Sequence, residues 1–587
     1  MSIYDKSSLV LIPSGTKTGK VFSQKPVSGD GDFTFTRASA ATRVNADGNI
    51  EKETNNQLLQ SNSFITSWTG NNSGITGGQA GYDGTNNASI HNASGGYSYR
   101  AQFGTYTGVN TFSIYAKAGT APFIRLYTSS SPSLFVNFDL VNGTIQPNVA
   151  IDSQMIDVGN GWYRCSMTFN ATNNNLIYFY CAGANGDVGI TTTGDNIYIQ
   201  DAQVEQGLVA RDVITTTTAA VYGGITDNVP RLDYTDSSCP ALLLEPQRTN
   251  LATYSEYIQG LSLTGLTATP NATTSPEGVQ NAYKVLTGTG NNDQIFEQAT
   301  GTSGNTKTQS VYIKADSGVQ WIRLIQIRSG FANSASTWFD IQNGVKGSKT
   351  EGGTTSVVDD ATKIEDAGNG WYRLTLVCTD STNNTIFDTR VRTATANSST
   401  SRVSNGSYFV WGYQMESDAS YPTSYIPTYG SSVSRTADTS VRILNEPDLI
   451  GQTEGTLFFE GTSAPSTELV SINRASQGSI FIMTNGSGKI QFYGYNGSGA
   501  DINISSTIDA SSNFKAAFAY KNGDTALYCN GQQVAVITGT FASQITLNQV
   551  WIAQGQYAQG KNKVDAKQAL IFKTRLSNEE LADLTTL

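Results

Sequence analysis

Gly159-Asn-Gly-Trp-Tyr-Arg164 returns unchanged as Gly368-Asn-Gly-Trp-Tyr-Arg373, and each copy lies inside a longer pattern that also returns. Ser113-Ile-Tyr-Ala-Lys-Ala118, Phe123-Ile-Arg-Leu126 and Phe138-Asp-Leu-Val-Asn-Gly143 precede the first copy. Ser310-Val-Tyr-Ile-Lys-Ala315, Trp321-Ile-Arg-Leu324 and Phe339-Asp-Ile-Gln-Asn-Gly344 precede the second, and downstream Gln203-Val-Glu205 is answered by Gln414-Met-Glu416. Five blocks in one order define a duplicated module, repeat 1 over residues 54–223 and repeat 2 over residues 249–439. The period is far too long for a solenoid and suits whole domains.

Inside each module, apolar and polar residues alternate in short runs such as Thr111–Ala116 and Tyr163–Phe169, bounded by Asn-Gly, Gly-Asn and Ser-Gly. A period of two marks half-buried strands, and regular turn signals between them mark sandwiches. Gly-Asn-Gly predicts a tight turn launching a strand, with Trp162 and Trp371 in core positions beside it and a sugar-stacking platform as the alternative. Only 14% of the 587 residues are charged, and abundant Gly, Ser, Thr and Asn favour strands over helices. The predicted fold is all-β, a multi-domain set of β-sandwiches.

A third unit spans residues 440–587, with alternation at Gly455–Glu460 and Phe514–Tyr520 and a hairpin signal at Lys521-Asn-Gly-Asp524. Ser577-Asn-Glu-Glu580 is a capping box, and Leu581 and Leu584 supply the apolar face of a short C-terminal helix. Residues 1–53 and 224–248, broken by Pro13, Pro26, Pro230, Pro240 and Pro246, read as tethering segments that wrap against their neighbours.

The net charge of -10 argues against a phosphate-tracking surface, so nucleic acid is not an expected partner. Cys165, Cys181, Cys239, Cys378 and Cys529 are odd in number and lack CxxC spacing, which predicts buried reduced thiols. No charged segment followed by an apolar run opens the chain, so neither export nor membrane insertion is expected. Gly15-Thr-Lys-Thr-Gly-Lys20 is one residue short of a phosphate loop. The single histidine, His91, has no counterpart in repeat 2 and no evident nucleophile. Asp201 and Glu205 share a strand face about 13 Å apart, beyond the roughly 5 to 10 Å that separates the two acids of a glycan depolymerase. Repeat 2 has Gly412 where repeat 1 has Asp201, so no shared hydrolytic site is expected.

Leu9–Gly15, Phe33–Gly48, Asn228–Thr235, Cys239–Asn250, Tyr421–Thr428 and Ser434–Asp438 resemble a family of tailed-bacteriophage virion proteins. In that family the segment ending near Glu51 runs straight into Val229-Pro-Arg-Leu-Asp-Tyr234, so repeat 1 looks like an inserted copy. The repeats are similar to carbohydrate-binding jelly rolls, and residues 440–587 to a concanavalin A or laminin-G sandwich. The resemblance implies a tail- or head-fibre appendage of the virion, assembled in the host cytoplasm, with other virion proteins and host-surface polysaccharide as partners. It implies residues 1–53 as the virion-docking segment, and analogy with viral fibres implies a homo-oligomer, a trimer.

For sugar binding, exposed aromatic faces flanked by amides are the working groups; the candidates are Trp68, Trp321, Trp338, Trp411 and Trp551. No cofactor is required on this reading, although jelly rolls of this type often carry structural calcium, for which Asp201 is the candidate ligand. A decoration or connector protein that binds no glycan is the alternative, and a depolymerase with its carboxylates paired across a groove is a third.

Overall fold

The computed structural model describes residues 2–129, 133–147, 150–171, 174–290, 292–301, 304–473, 479–495, 500–539, 546–553 and 562–587. The duplicated hexapeptide is a hairpin turn in both copies. Asn160 and Gly161 take φ of 54° and 77°, and Asn369 and Gly370 take 53° and 78°, the left-handed pair that matches strand twist in a two-residue turn. Trp162 and Trp371 are 2% and 1% exposed. The arginine that follows lies over a tyrosine ring in each repeat, Arg164 on Tyr115 and Arg373 on Tyr312, both at 5.4 Å.

Repeat 1 is two six-stranded antiparallel sheets. One runs Asp152–Gly159, Trp162–Ala171, Gly108–Ala118, Asn196–Gln206, Ala88–Ala93, Ser73–Gln79; the other runs Thr144–Ile145, Leu134–Asp139, Phe123–Thr128, Asn174–Ala182, Tyr99–Thr105, Thr69–Asn71. Phe112, Ile114, Met167, Leu126, Phe138 and Phe179 fill the space between them, each burial contributing about 1.5–3 kcal/mol. Repeat 2 has the same strand order in sheets of seven and six.

The repeated Gln-x-Glu is a clamp. Ile214 N donates to Gln203 Oε1 at 2.8 Å and Ile426 N to Gln414 Oε1 at 2.8 Å, holding the chain as it returns from the last strand. Asn56 and Asn250 grip the same return segments, donating to Ile214 O and Ile426 O at 2.8 Å each.

The third sandwich departs from the expected division of the chain. Strands Leu9–Leu11, Thr16–Lys17, Lys20–Val21, Phe33–Thr36, Arg231–Asp233 and Ala241–Leu244 belong to its eight- and nine-stranded sheets. Residues 9–36 and 231–244, read from the sequence as parts of tethering segments, therefore supply strands of this sandwich: Leu9, Leu11, Val21, Phe33, Phe35, Leu242 and Leu244 are part of the same buried core as Leu457, Phe459 and Phe518. Both repeats are insertions between strands of this one sandwich. The C-terminal helix Asn578–Thr585 starts with the capping box at Ser577 and Glu580 and buries Leu581 and Leu584.

The strings that resemble virion proteins meet in one buried knot. Arg37 pairs with Asp438 at 3.1 Å, Arg231 with Glu245 at 2.7 Å and also with Asp438, and Arg435 with Glu245. Three cations face two carboxylates, and all five side chains have 0–1% exposure. Burial, outweighing Asp438 and joined by repulsion from Arg231 and Arg435, brings Arg37 down to about 10.

A second charged set ties the repeats together. Lys52 reaches Glu256 at 2.5 Å and Glu277 at 3.0 Å, and Arg211 of repeat 1 reaches Glu277 of repeat 2 at 3.0 Å. Although desolvation favours its neutral form, Arg211 and Lys52 hold Glu277 well below the usual carboxylate range. Beside this set Val109 N donates to Tyr429 O at 2.7 Å.

Four of the cysteines are buried as expected, and Cys239 is exposed. Among the described residues no helix is long and apolar enough to cross a membrane.

Candidate functional site

The sheet of repeat 1 that contains Phe123–Thr128 turns one side to the core and the other to solvent. Along Asn174–Ala182, Ile177, Phe179 and Cys181 point into the core, so Tyr178 and Tyr180 point out by the strand's period of two. Register sets their neighbours: Tyr180 is opposite Tyr99 on one side and Arg125 on the other, and Tyr178 is opposite Ala101 and Tyr127. The next strand adds Asn137 beside Arg125 and Phe135 beside Tyr127.

These rings form a continuous surface. Tyr178 and Tyr180 stack at 5.8 Å with planes 19° apart, Tyr99 lies 5.2 Å from each, and Tyr127 lies 5.1 Å from Tyr178. Phe103 and Phe135, at 63% and 43% exposure, extend it at opposite edges. Arg125 lies 4.3 Å over the Phe135 ring, donates to Asn137 Oδ1 at 2.7 Å, and Asn137 donates to Gln146 Oε1 at 2.7 Å. Burial and the neighbouring hydroxyls push the Tyr178 and Tyr180 phenols upward, so both stay protonated donors at neutral pH. Aromatic C–H faces bordered by hydroxyls and amides match the alternating apolar and polar surface of a sugar ring.

The tryptophans singled out from the sequence lie elsewhere. Trp68 is 4% exposed, packed at 5.4 Å from Phe179 with its indole donating to Gln60 O. Trp411 is fully buried between Tyr312 and Tyr425. Trp338 is on an outer sheet face, yet it is fully buried under Arg323, whose guanidinium lies 4.4 Å from the ring. None of these three offers a ring face to a ligand, because large rings gain most by burial. Trp321 and Trp551 are half-buried, the latter with Arg442 at 4.9 Å over its ring. The signal for the tyrosines was Tyr178-Phe-Tyr180 itself: consecutive aromatics in a strand cannot all enter one core.

Asp201 occupies a β-bulge at φ 48°, and Gly412 occupies the equivalent bulge of repeat 2 at φ 66°. The Asp201 carboxylate accepts from Tyr82 Oη at 3.0 Å and from Gln200 at 3.3 Å. Among the described residues no group of three or more His, Cys, Asp or Glu is arranged to hold a metal ion. Burial raises the Asp201 pKa above its ordinary value. A raised acid supports the fold below its unfolded-state pKa and loses that support as pH rises through the folded value. Asp201→Gly installs the residue of repeat 2, and the loss of about 1–2 kcal/mol of left-handed strain together with a desolvated carboxylate outweighs the hydrogen bonds from Tyr82 and Gln200, so a gain of under about 1 kcal/mol is expected near neutral pH. Thermal melts at pH 4 and pH 7 check the sign: the gain should shrink at the lower pH.

His91 donates to or accepts from Ser98 Oγ at 3.0 Å, and both residues have no exposure. Burial, aided by Arg100, drives the imidazole down to about 3, a neutral ring sealed against Phe179.

No protein-family model matches the chain, nor does any curated protein. Among solved structures the chain is similar to the CBM40 of the Ruminococcus gnavus IT-sialidase bound to α2,3 sialyllactose, at 16% identity and a TM-score of 0.21, over 23% of this chain and 84% of that one. It is similar to the CBM22-1-CBM22-2 tandem domain of Paenibacillus barcinonensis Xyn10C at 10% identity and a TM-score of 0.20, over 62% and 96%. It is also similar to mouse laminin α1 chain domains LG4-5 at 10% identity and a TM-score of 0.16, over 47% and 85%. Scores this low carry nothing about ligands, and the chain's own sheet faces remain the guide to its chemistry.

Proposed function

We propose that this protein is a virion appendage of a tailed bacteriophage that adheres to host-surface glycan through the tyrosine face of repeat 1. The observation that carries the reading is the contiguous surface of Tyr99, Tyr127, Tyr178 and Tyr180, edged by exposed Phe103 and Phe135. A soluble protein has little reason to spread that many rings over one outer face unless something covers them. The virion assignment is supported by the phage-like strings, whose charged residues meet in the knot around Glu245 and Asp438. The protein acts as a binder, not a hydrolase. A single flat site holds sugar weakly, and copies carried on a trimer raise avidity by about two to four orders of magnitude where geometry permits.

Tyr178→Ala combined with Tyr180→Ala tests this. Both side chains are on the outer face and outside the main core, so the sandwich should stay folded, with a melting temperature lowered only by the lost ring contacts, while affinity for host polysaccharide falls by at least about thirtyfold, the scale of losing an interface anchor. Glycan-array binding unchanged by the pair would transfer the reading to a connector that contacts only protein.

A further inference from the structure

Repeat 2 has the same sheet face in the same register, with different chemistry. Phe123-Ile-Arg-Leu126 aligns with Trp321-Ile-Arg-Leu324, so Arg125 corresponds to Arg323. Arg125 is opposite Tyr180 and Arg323 is opposite Arg392; Tyr127 is opposite Tyr178 and Ile325 is opposite Arg390. The two central tyrosines of repeat 1 are thus replaced by two arginines, next to a third that both repeats keep. Arg402 adds a fourth charge near Arg392 and Arg323.

The acids on this face do not balance those charges. Asp388 is used by Arg390 in a two-point contact of 3.1 and 2.9 Å. Among the described residues Arg392 donates to Gln294 Oε1, Arg323 to Ser336 Oγ and Arg402 to Thr400 O. Among the described residues no carboxylate comes within ion-pairing distance of Arg323, Arg392 or Arg402; Asp293, the acid that Arg402 feels, is 2% exposed. Desolvation together with repulsion from Arg402 and Arg390 draws Arg392 down to about 10, and desolvation together with Arg392 does the same to Arg323. All remain cationic at neutral pH and repel one another, a cost that an incoming anion would remove.

The surroundings suit a ring-shaped anion. Phe331 is 60% exposed, and its ring lies 4.7 Å from the Arg390 guanidinium and 6.0 Å from that of Arg392. Half-buried Trp321 borders the other end. A planar guanidinium offers forked donors to a carboxylate, and an exposed ring beside it offers an apolar face to the sugar carrying that carboxylate.

We infer that this face of repeat 2 binds an acidic sugar, a uronate or other carboxylate-bearing unit of a polysaccharide, with Arg392 and Arg323 on the carboxylate and Phe331 against the ring. The inference rests on the reading of repeat 1 as a glycan-binding module: the duplicated sheet holds a neutral stretch of glycan in one copy and a charged unit in the other. It gives the overall acidic chain a local way to accept an anionic polymer.

The experiment uses the full chain with oligogalacturonate, hyaluronan oligosaccharide and oligosialate, each beside its methyl ester, by calorimetry at low ionic strength. At least one acid should bind saturably, its neutral ester at least about tenfold more weakly, and Arg392→Gln should cost about tenfold in affinity, the scale of one charge-assisted hydrogen bond. Arg392→Lys should recover part of that loss, and a second variant, Arg392→Tyr, should abolish the preference for acid over ester while keeping the melting temperature. Failure of all three acids to bind would overturn the inference, as would equal binding of acid and ester. Displacement by glycerol 3-phosphate as readily as by galacturonate would overturn the assignment to a carboxylate sugar. Acid binding should survive the Tyr178→Ala, Tyr180→Ala pair; its loss there would place the acid in repeat 1 and sink this inference alone. Acid binding that persists while the wild type ignores every neutral glycan would sink only the repeat 1 reading.

Discussion

Glu245→Gln is expected to destabilise the third sandwich by about 3–5 kcal/mol, the range for breaking a buried ionic contact by removing one partner's charge. Glu245 accepts from Arg231 at 2.7 Å, from Arg435, and from Ser424 N and Oγ at 2.8 and 2.7 Å. With the amide in its place, three fully buried arginines would share the single carboxylate of Asp438. The pH dependence gives a second signature. Against the desolvation that would raise it, Arg435 and Arg231 hold Glu245 well below its ordinary 4.5. An acid depressed by folding contributes its full stabilisation above the unfolded-state pKa and loses it as pH falls towards the folded value. The gap between wild type and Glu245→Gln should therefore be widest at neutral pH and narrow steadily below about pH 4.5. Hydrogen exchange along Val564–Phe572, the strand between Leu9–Leu11, Ala241–Leu244 and Glu454–Ser463, reads the stability of this sandwich directly. A gap that stays constant from pH 7 to pH 3 would remove the ionic explanation.

Gly108→Ala should separate the two repeats. Gly108 has φ of 68°, and a β-carbon there would stand 1.6 Å from Tyr429 O and 2.5 Å from its carbonyl carbon. The obstacle is backbone, so no rotamer change relieves it, and the left-handed conformation adds its own strain. Together these cost about 2–6 kcal/mol. The hydrogen bond from Val109 N to Tyr429 O is lost with the displacement, and the Lys52–Glu256–Glu277–Arg211 set loses its alignment. Faster exchange at Val109 and a larger radius of gyration in solution scattering are the expected readouts. Each repeat keeps a core of its own apart from Val109 and Leu208, which pack into that of repeat 2, so the outer sheet faces should persist. Unchanged exchange at Val109 would mean that this contact is not what docks the repeats.

Strand periodicity, the duplicated turn and the C-terminal helix were legible because each depends on residues close together in the chain. Asn160-Gly161 needs only its own backbone to make the turn, and Ser577 and Glu580 cap their own helix. The blocks Phe123-Ile-Arg-Leu126 and Trp321-Ile-Arg-Leu324 carry the equivalence of the two sheets in the sequence itself. Tryptophan was a poor guide to exposed ring faces because its size draws it into cores: Trp68 and Trp411 are buried for the same reason that made them conspicuous.

By itself the sequence determined an all-β chain built on a duplicated module with a third sandwich, since alternation and turn chemistry are local properties of the chain. Only the tertiary structure decided that Leu9, Phe33 and Leu242 complete the core of a sandwich whose other strands follow about 200 to 560 residues later. It also decided which residues meet across strands: Tyr99 with Tyr180, Arg323 with Arg392, and Arg37 with Asp438. Such meetings are set by pairing register and core packing between segments far apart in sequence, and no window of the sequence contains that information.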